Sequence, residues 1–95
     1  MIYVKIHVRG SERLLAACDE ELIGMTFTGN GMRLKVSETF YKGELVTEDA
    51  FRERMKSVTV MNLVGERAVS IAQAEGHVSE IIKVGDAKHA QAVIM

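Results

Sequence analysis

Val58-Thr59-Val60-Met61-Asn62-Leu63-Val64-Gly65-Glu66-Arg67-Ala68-Val69-Ser70-Ile71-Ala72 is the stretch on which the architecture turns. Placed on a helical wheel with Val60 at zero and ~100° per residue, Val60, Leu63, Val64, Ala68, Ile71 and Ala72 centre near ~30°. That periodicity predicts a helix from about Val60 to Glu75, with Gly76 as its natural C′ residue. Upstream, Thr47 caps an earlier helix that has Glu48 and Asp49 at its positive end and Lys56 near its negative end. The apolar stripe of this first helix, Phe51, Met55 and Val58, centres near ~185° on the same wheel. One straight helix would therefore carry apolar stripes on nearly opposite sides, and the β-branched run Val58-Thr59-Val60 weakens helix propensity between them. A break between Ser57 and Val60 is expected, giving two consecutive helices.

Strand signals surround this helical centre. Ile2, Val4, Ile6 and Val8 alternate with Tyr3, Lys5, His7 and Arg9, as in a half-buried strand. Gly10-Ser11 supplies a two-residue turn, and a return strand from about Glu12 to Cys18 pairs Arg9 with Glu12. Asp19 to Gly24 reads as one helical turn capped by Asp19. Asn30-Gly31 is the preferred pair for a type I′ turn and opposes Phe27 to Leu34 and Met25 to Val36 on one face. Ser37 to Val46 is read as irregular, with a turn at Lys42-Gly43, and the tail as a last hairpin: Ile81 to Val84, a Gly85-Asp86 turn, then Ala87 to about Ile94. The order predicts an α+β fold of antiparallel hairpins packed against two helices.

The 95 residues make a single domain by the usual length prior. With 47% hydrophobic and 26% charged residues, the composition fits a folded chain rather than a disordered one. A formal charge of -1 supplies no global field toward nucleic acid or an anionic membrane, so binding of either kind would need a local patch. The lone Cys18 excludes an internal disulfide and suits a reducing compartment. The opening Met1 to Lys5 does not read as a signal peptide, and no apolar run reaches the ~18 residues of a membrane span. A cytoplasmic location without membrane contact is expected.

Arg67 is the most informative charged residue, at ~340° on the wheel and inside the apolar arc of the second helix. A guanidinium there needs a carboxylate or several carbonyls, with Glu38 and Glu44 as candidate carboxylates. It is either a structural ion pair or an anion ligand in a cleft. Tyr3, Lys5, His7 and Arg9, with Arg33 and Lys35, could form a basic, aromatic-bearing sheet surface that stacks bases and contacts phosphates. The competing reading is an ordinary solvated sheet face. Arg52, Arg54 and Lys56, interrupted by Glu53, read as a soluble helix surface. Cys18 reads as a buried core thiol. His7, His77 and His89 lack metal-site spacing, and Gly29-Asn30-Gly31 is explained by its turn, without the lysine and helix of a phosphate loop. No metal or cofactor is expected, and no catalytic constellation is recognised.

Four strings taken together carry a family resemblance: Ala17-Cys18-Asp19 with Glu21-Leu22-Ile23-Gly24; Val36-Ser37-Glu38 with Phe40-Tyr41 and Gly43-Glu44; Asn62 to Ala68; and His89-Ala90-Gln91. In this order they resemble the archaeal family called domain of unknown function 424, from about Ile2 to Gln91. The resemblance implies a small archaeal cytoplasmic protein, associated by genomic company with the translation machinery, and it carries no assigned activity. The family's tail often has proline where this chain has Lys88. The shared strings point to a cleft built from Glu38, Tyr41, Glu66, Arg67, His89 and Gln91 as the candidate ligand site.

Three functions are carried forward. The first is a non-catalytic binding protein that engages RNA or a ribonucleoprotein through the basic sheet face. The second is a small enzyme with a cleft at Arg67. The third is a protein-interaction or homodimer module with Met1, Met25, Met32, Met55, Met61 and Met95 as adaptable contacts. Binding is preferred over catalysis.

Overall fold

In a computed structural model, which describes residues 1–78 and 80–94, the chain opens with the anticipated hairpin. β1 (Ile2–Arg9) and β2 (Glu12–Asp19) pair antiparallel, with Arg9 opposite Glu12 and Gly10 at φ 60° in the turn. β3 (Thr26–Gly29) and β4 (Met32–Lys35) form the second hairpin, with Phe27 opposite Leu34. Its turn residues Asn30 and Gly31 lie at φ 53° and 74°, the two positive values a type I′ turn requires. The stretch read as irregular contains a one-turn helix, α1 (Glu38–Tyr41), and a short strand, β5 (Glu44–Val46). Ser37 caps α1 by accepting from the Phe40 N–H, and Thr47 caps α2 (Glu48–Arg54) as expected, accepting from the Ala50 N–H at 3.1 Å.

The chain does leave the helical path at the anticipated break, after a 3₁₀ turn at Met55–Ser57. Beyond that turn the structure corrects the helical reading of the periodicity. Val60–Val64 is a strand, β6, and the second helix, α3 (Glu66–Ala74), begins only beyond Gly65. β7 (Ile82–Val84) and β8 (Ala87–Val93) then form the last hairpin around Gly85. The β-branched residues and the glycine that weakened a helix at this point are the ordinary content of a strand and a strand-to-helix turn.

The fold is α+β, and its main sheet is mixed rather than wholly antiparallel. Six strands run in the order β5-β1-β2-β6-β8-β7, with β2 and β6 parallel and the other neighbours antiparallel. β2 is a central strand buried on both faces from Leu15 to Asp19, which its small residues Ala16, Ala17 and Cys18 permit. On one face, α2 and α3 cover Ile2, Val4, Leu15, Ala17, Met61 and Leu63, and Phe51, Met55 and Val58 of the first helical stripe lie in this core. On the other face, the β3-β4 hairpin and α1 cover Ala16, Cys18, Val64 and Ala87.

One contact locks the parallel centre together. Asp19 ends β2 beside the β6-α3 junction, and its buried carboxylate accepts the N–H groups of Arg67 at 3.0 Å and Ala68 at 2.8 Å. It thereby fills the role of an N-cap for α3, whose own N-cap residue is Gly65. Gly65 sits at φ 112°, and a Cβ there would collide with the Asp19 carboxylate. The expected cap of the Glu20–Leu22 turn by Asp19 is absent, because the carboxylate is engaged here instead.

Candidate functional site

The second layer covers only half of the outer sheet face. Side chains on that face line up in rows across the strands. The first row, Tyr3-Cys18-Val64-His89-Ile82, runs beneath the hairpin and α1 at its centre. The second is Lys5-Ala16-Asn62-Gln91 and the third His7-Leu14-Val60-Val93, with Arg9 and Glu12 beyond. Over these later rows lie four depressions that share lining residues, together called the trough. At the β7-β8 end, a groove of about 520 Å³ lies between β4 and the sheet, lined by Arg33, Glu80, Ile82, His89 and Gln91 among others. Through Gln91 it continues into about 500 Å³ over Leu14, Val60, Asn62 and Val93. Through Glu12 and Leu14 that space reaches a third depression beside His7, Arg9 and Phe40, and a fourth opens at the Thr59 and Ile94 rim.

Several trough groups are held in one orientation. Tyr41, buried in the outer core, donates its hydroxyl to Asn62 Oδ1 at 2.6 Å, which fixes the Asn62 amide. Burial, with a smaller contribution from Cys18, holds the Tyr41 phenol above its ordinary value, so it stays a donor. His89 Nδ1 lies 2.9 Å from the Leu63 carbonyl. A carbonyl only accepts, so Nδ1 carries a proton and Nε2 is the ring nitrogen left to meet a ligand. His7 Nε2 donates likewise to the Phe40 carbonyl at 2.9 Å, and its ring stacks on Phe40 at 4.7 Å. The trough thus offers an apolar floor of Leu14, Val60 and Val93, two amides, two histidine rings, and both signs of charge: Arg9 and Arg33 against Glu12 and Glu80.

The expected cleft is only partly assembled. Tyr41, His89 and Gln91 belong to the outer face, Tyr41 through Asn62. Glu38 is exposed on α1, 3.8 Å from Lys42. Glu66 and Arg67 start α3, which packs on the opposite face, and Glu66 meets Lys88 at 3.0 Å. Arg67 contradicts the expected pairing: its guanidinium bonds Glu21 at 2.6 Å, while Glu44 takes Arg54 at 2.6 Å. It is also 39% exposed rather than shielded. The reason is the helix origin: with α3 beginning at Glu66, Arg67 is a first-turn residue at the domain edge. Only its Nε is buried, and that atom has no partner among the described residues. The Arg67 hydrogen bond holds the Glu21 carboxyl below its usual range.

The basic set is likewise divided. Tyr3 is half-buried in the outer core with the Lys42 ammonium 5.9 Å from its ring centre. Lys5 bonds the Thr39 carbonyl at 2.8 Å and His7 the Phe40 carbonyl, so α1 occupies both. Arg9 and Arg33 line opposite ends of the trough, and Lys35 is exposed on β4 outside its lining. These six residues do not share one basic surface. Of the methionines, Met55 and Met61 are core residues, Met1, Met25 and Met32 are exposed, and Met95 lies outside the described residues.

Leu14, Asn62, Val60 and Val93 were not singled out from the sequence. Their common signal, polar and apolar alternation along strands, was hidden where β6 read as helix. Among the described residues no group of three or more His, Cys, Asp or Glu is arranged to hold a metal ion, and no helix is long and apolar enough to cross a membrane.

A family model described as "Protein of unknown function (DUF424)" matches residues 6–95. A crystal structure titled as that of an uncharacterized conserved protein from Methanopyrus kandleri is similar at 30% identity and a TM-score of 0.83, over 99% of this chain and 91% of that one. No curated protein matches.

Proposed function

The chain belongs to the family of proteins of unknown function DUF424, and from its geometry we propose that it is a non-catalytic binding module whose trough receives a segment of another protein. The observation that carries this reading is the lining. An apolar floor, the oriented Asn62 amide and balanced charge match the composition of a protein interface, which is about as apolar as ordinary surface and carries a few placed polar groups. A polyanion would instead be met by a surplus of cations. Here Glu12 and Glu80 offset Arg9 and Arg33, and Lys5 is tied to α1. In this reading, association with a ribonucleoprotein runs through a protein component.

The test sets peptides against RNA on the same protein. A displayed library of random peptides should yield binders that lose affinity when Leu14→Glu or Val60→Glu is introduced, with the thermal midpoint little changed. Ribosomal RNA fragments should bind weakly. Tight RNA binding with a log–log salt slope of about -2 to -3, the value for ~3–4 neutralised phosphates on a single strand, would overturn the proposal in favour of the basic-face reading.

A further inference from the structure

The groove at the β7-β8 end exists because two strands part company. β7 pairs with β8 only from Val84-Ala87 to Ile82-His89, whereas β8 continues to Val93. On its other side, β8 pairs with β6 along its full continuation, to Val60-Val93. The backbone direction follows from two bonds: Gly65 N–H to the Lys88 carbonyl, and Ile94 N–H to the Thr59 carbonyl. In an antiparallel ladder alternate residues face alternate neighbours. Lys88, Ala90, Ala92 and Ile94 therefore bond toward β6, and His89, Gln91 and Val93 turn their N–H and C=O groups away. His89 has Ile82 opposite it. Gln91 and Val93 lie past the last β7 pair, with both residues exposed, Val93 at 74%.

We propose that this half-open edge is a strand-addition site: an extended segment of a partner protein pairs with Gln91 and Val93 in line with β7, and its side chains on one face enter the groove beneath β4. The inference rests on the protein-segment reading above and deepens it. Four outward backbone groups in strand geometry are complemented most fully by another strand, and main-chain pairing with side-chain pockets on alternate positions is an established mode of peptide recognition. The groove adds selectivity. Ile82, Met32 and Leu34 make an apolar seat, the His89 ring is held through Nδ1 with Nε2 left for a ligand, and Arg33 and Glu80 flank the seat. Neither Arg33 nor Glu80 has an ion-pair partner among the described residues. The complementary segment is thus extended and apolar at its seated position, with an acidic side chain for Arg33 and a basic one for Glu80. The other sheet edge is half-open too, since β5 pairs with β1 only to Val4, leaving Ile6 and Val8 by the same alternation. That edge is bordered by the smaller depression over His7, Val8 and Phe40.

Proline separates the edge from the trough. Val93 N–H points away from β6, so Val93→Pro removes an outward donor and blocks an incoming strand without taking a bond from the β6-β8 ladder. The probe is the tightest binder from the displayed peptide library, synthesised as an isolated peptide. Expected are a loss of roughly tenfold or more in affinity for Val93→Pro, a smaller loss for Val93→Thr, which keeps the outward N–H and changes only the floor side chain, and slowed hydrogen exchange at the Gln91 and Val93 amides when the peptide is bound. A peptide that binds Val93→Pro as tightly as wild type but fails on Leu14→Glu would overturn strand addition and leave the trough reading standing. A library that yields no binder, or binders indifferent to both variants, would overturn both. Should Val93→Pro shift the thermal midpoint, the exchange measurement on the unaltered protein decides the matter: slowed exchange at both amides supports strand addition, and unchanged exchange overturns it.

Discussion

Asp19 is a buried charge, satisfied by two backbone N–H groups at the positive end of α3, and it takes the structural role expected of Arg67. Asp19→Ala leaves both donors unpaired, and with a charged acceptor lost the cost should be about 2–4 kcal/mol in urea unfolding. Gly65→Ala should be worse than Gly10→Ala, although both glycines have positive φ. The second costs about 1–2 kcal/mol from backbone strain alone, since its Cβ meets open space, whereas at Gly65 it meets the Asp19 carboxylate. By contrast Arg67→Leu or Glu21→Gln should change stability by less than about 1 kcal/mol, as for other exposed pairs. Burial, with Asp19 and Glu21 adding to it, pushes the Cys18 thiol up to about 12 from an ordinary 9.0. Its folded value is raised, so the associated stability is present below pH 9.0 and lost as pH rises toward 12. Unfolding midpoints should fall over that alkaline range, less so in Cys18→Ala, and a thiol reagent at neutral pH should label Cys18 only at the rate of opening.

Among the elements, β6 shows why period alone misleads. Val60, Met61, Leu63 and Val64 satisfy a helical stripe when joined to α3, yet a short apolar run fits a strand buried on one face and half-covered on the other. Asn62 was the discriminating residue. On a helix it would face solvent; on the strand it points into the outer layer and takes the Tyr41 hydroxyl. Tyr41→Phe should therefore destabilise by roughly 1–2 kcal/mol through an unsatisfied amide oxygen, and a cycle with Asn62→Ala should show coupling of that order. The β3-β4 hairpin was legible because its turn chemistry is local. Gly31→Val, at φ 74°, should lower stability by roughly 1–2 kcal/mol, read as a shifted denaturation midpoint.

At the scale of the whole molecule, Leu14 and Leu15 are adjacent in sequence and lie on opposite faces of β2. Leu15 is fully buried under the helices, and Leu14 is half-buried on the trough floor. Leu15→Ala should cost about 3 kcal/mol, and Leu14→Ala less than about 1 kcal/mol. Of the site residues named from the sequence, His89, Gln91, Arg9 and Arg33 line the trough and His7 and Tyr41 border or support it, while Glu38, Glu66 and Arg67 lie elsewhere. The hairpins, the cap at Thr47, the break after Ser57 and the α+β class follow from local rules: turn dihedrals, helix-end donors and side-chain period are set within a few residues, so the sequence by itself determines them. Partnership across the chain does not work that way. Whether Arg67 met Glu38, Glu44 or Glu21 depended on β2 and β6 lying parallel, a pairing 46 residues apart that no local pattern encodes. The trough arises in the same way, from a second layer that covers half a sheet and a β7 shorter than its neighbour, and only the tertiary structure could decide which face and which edge stayed open.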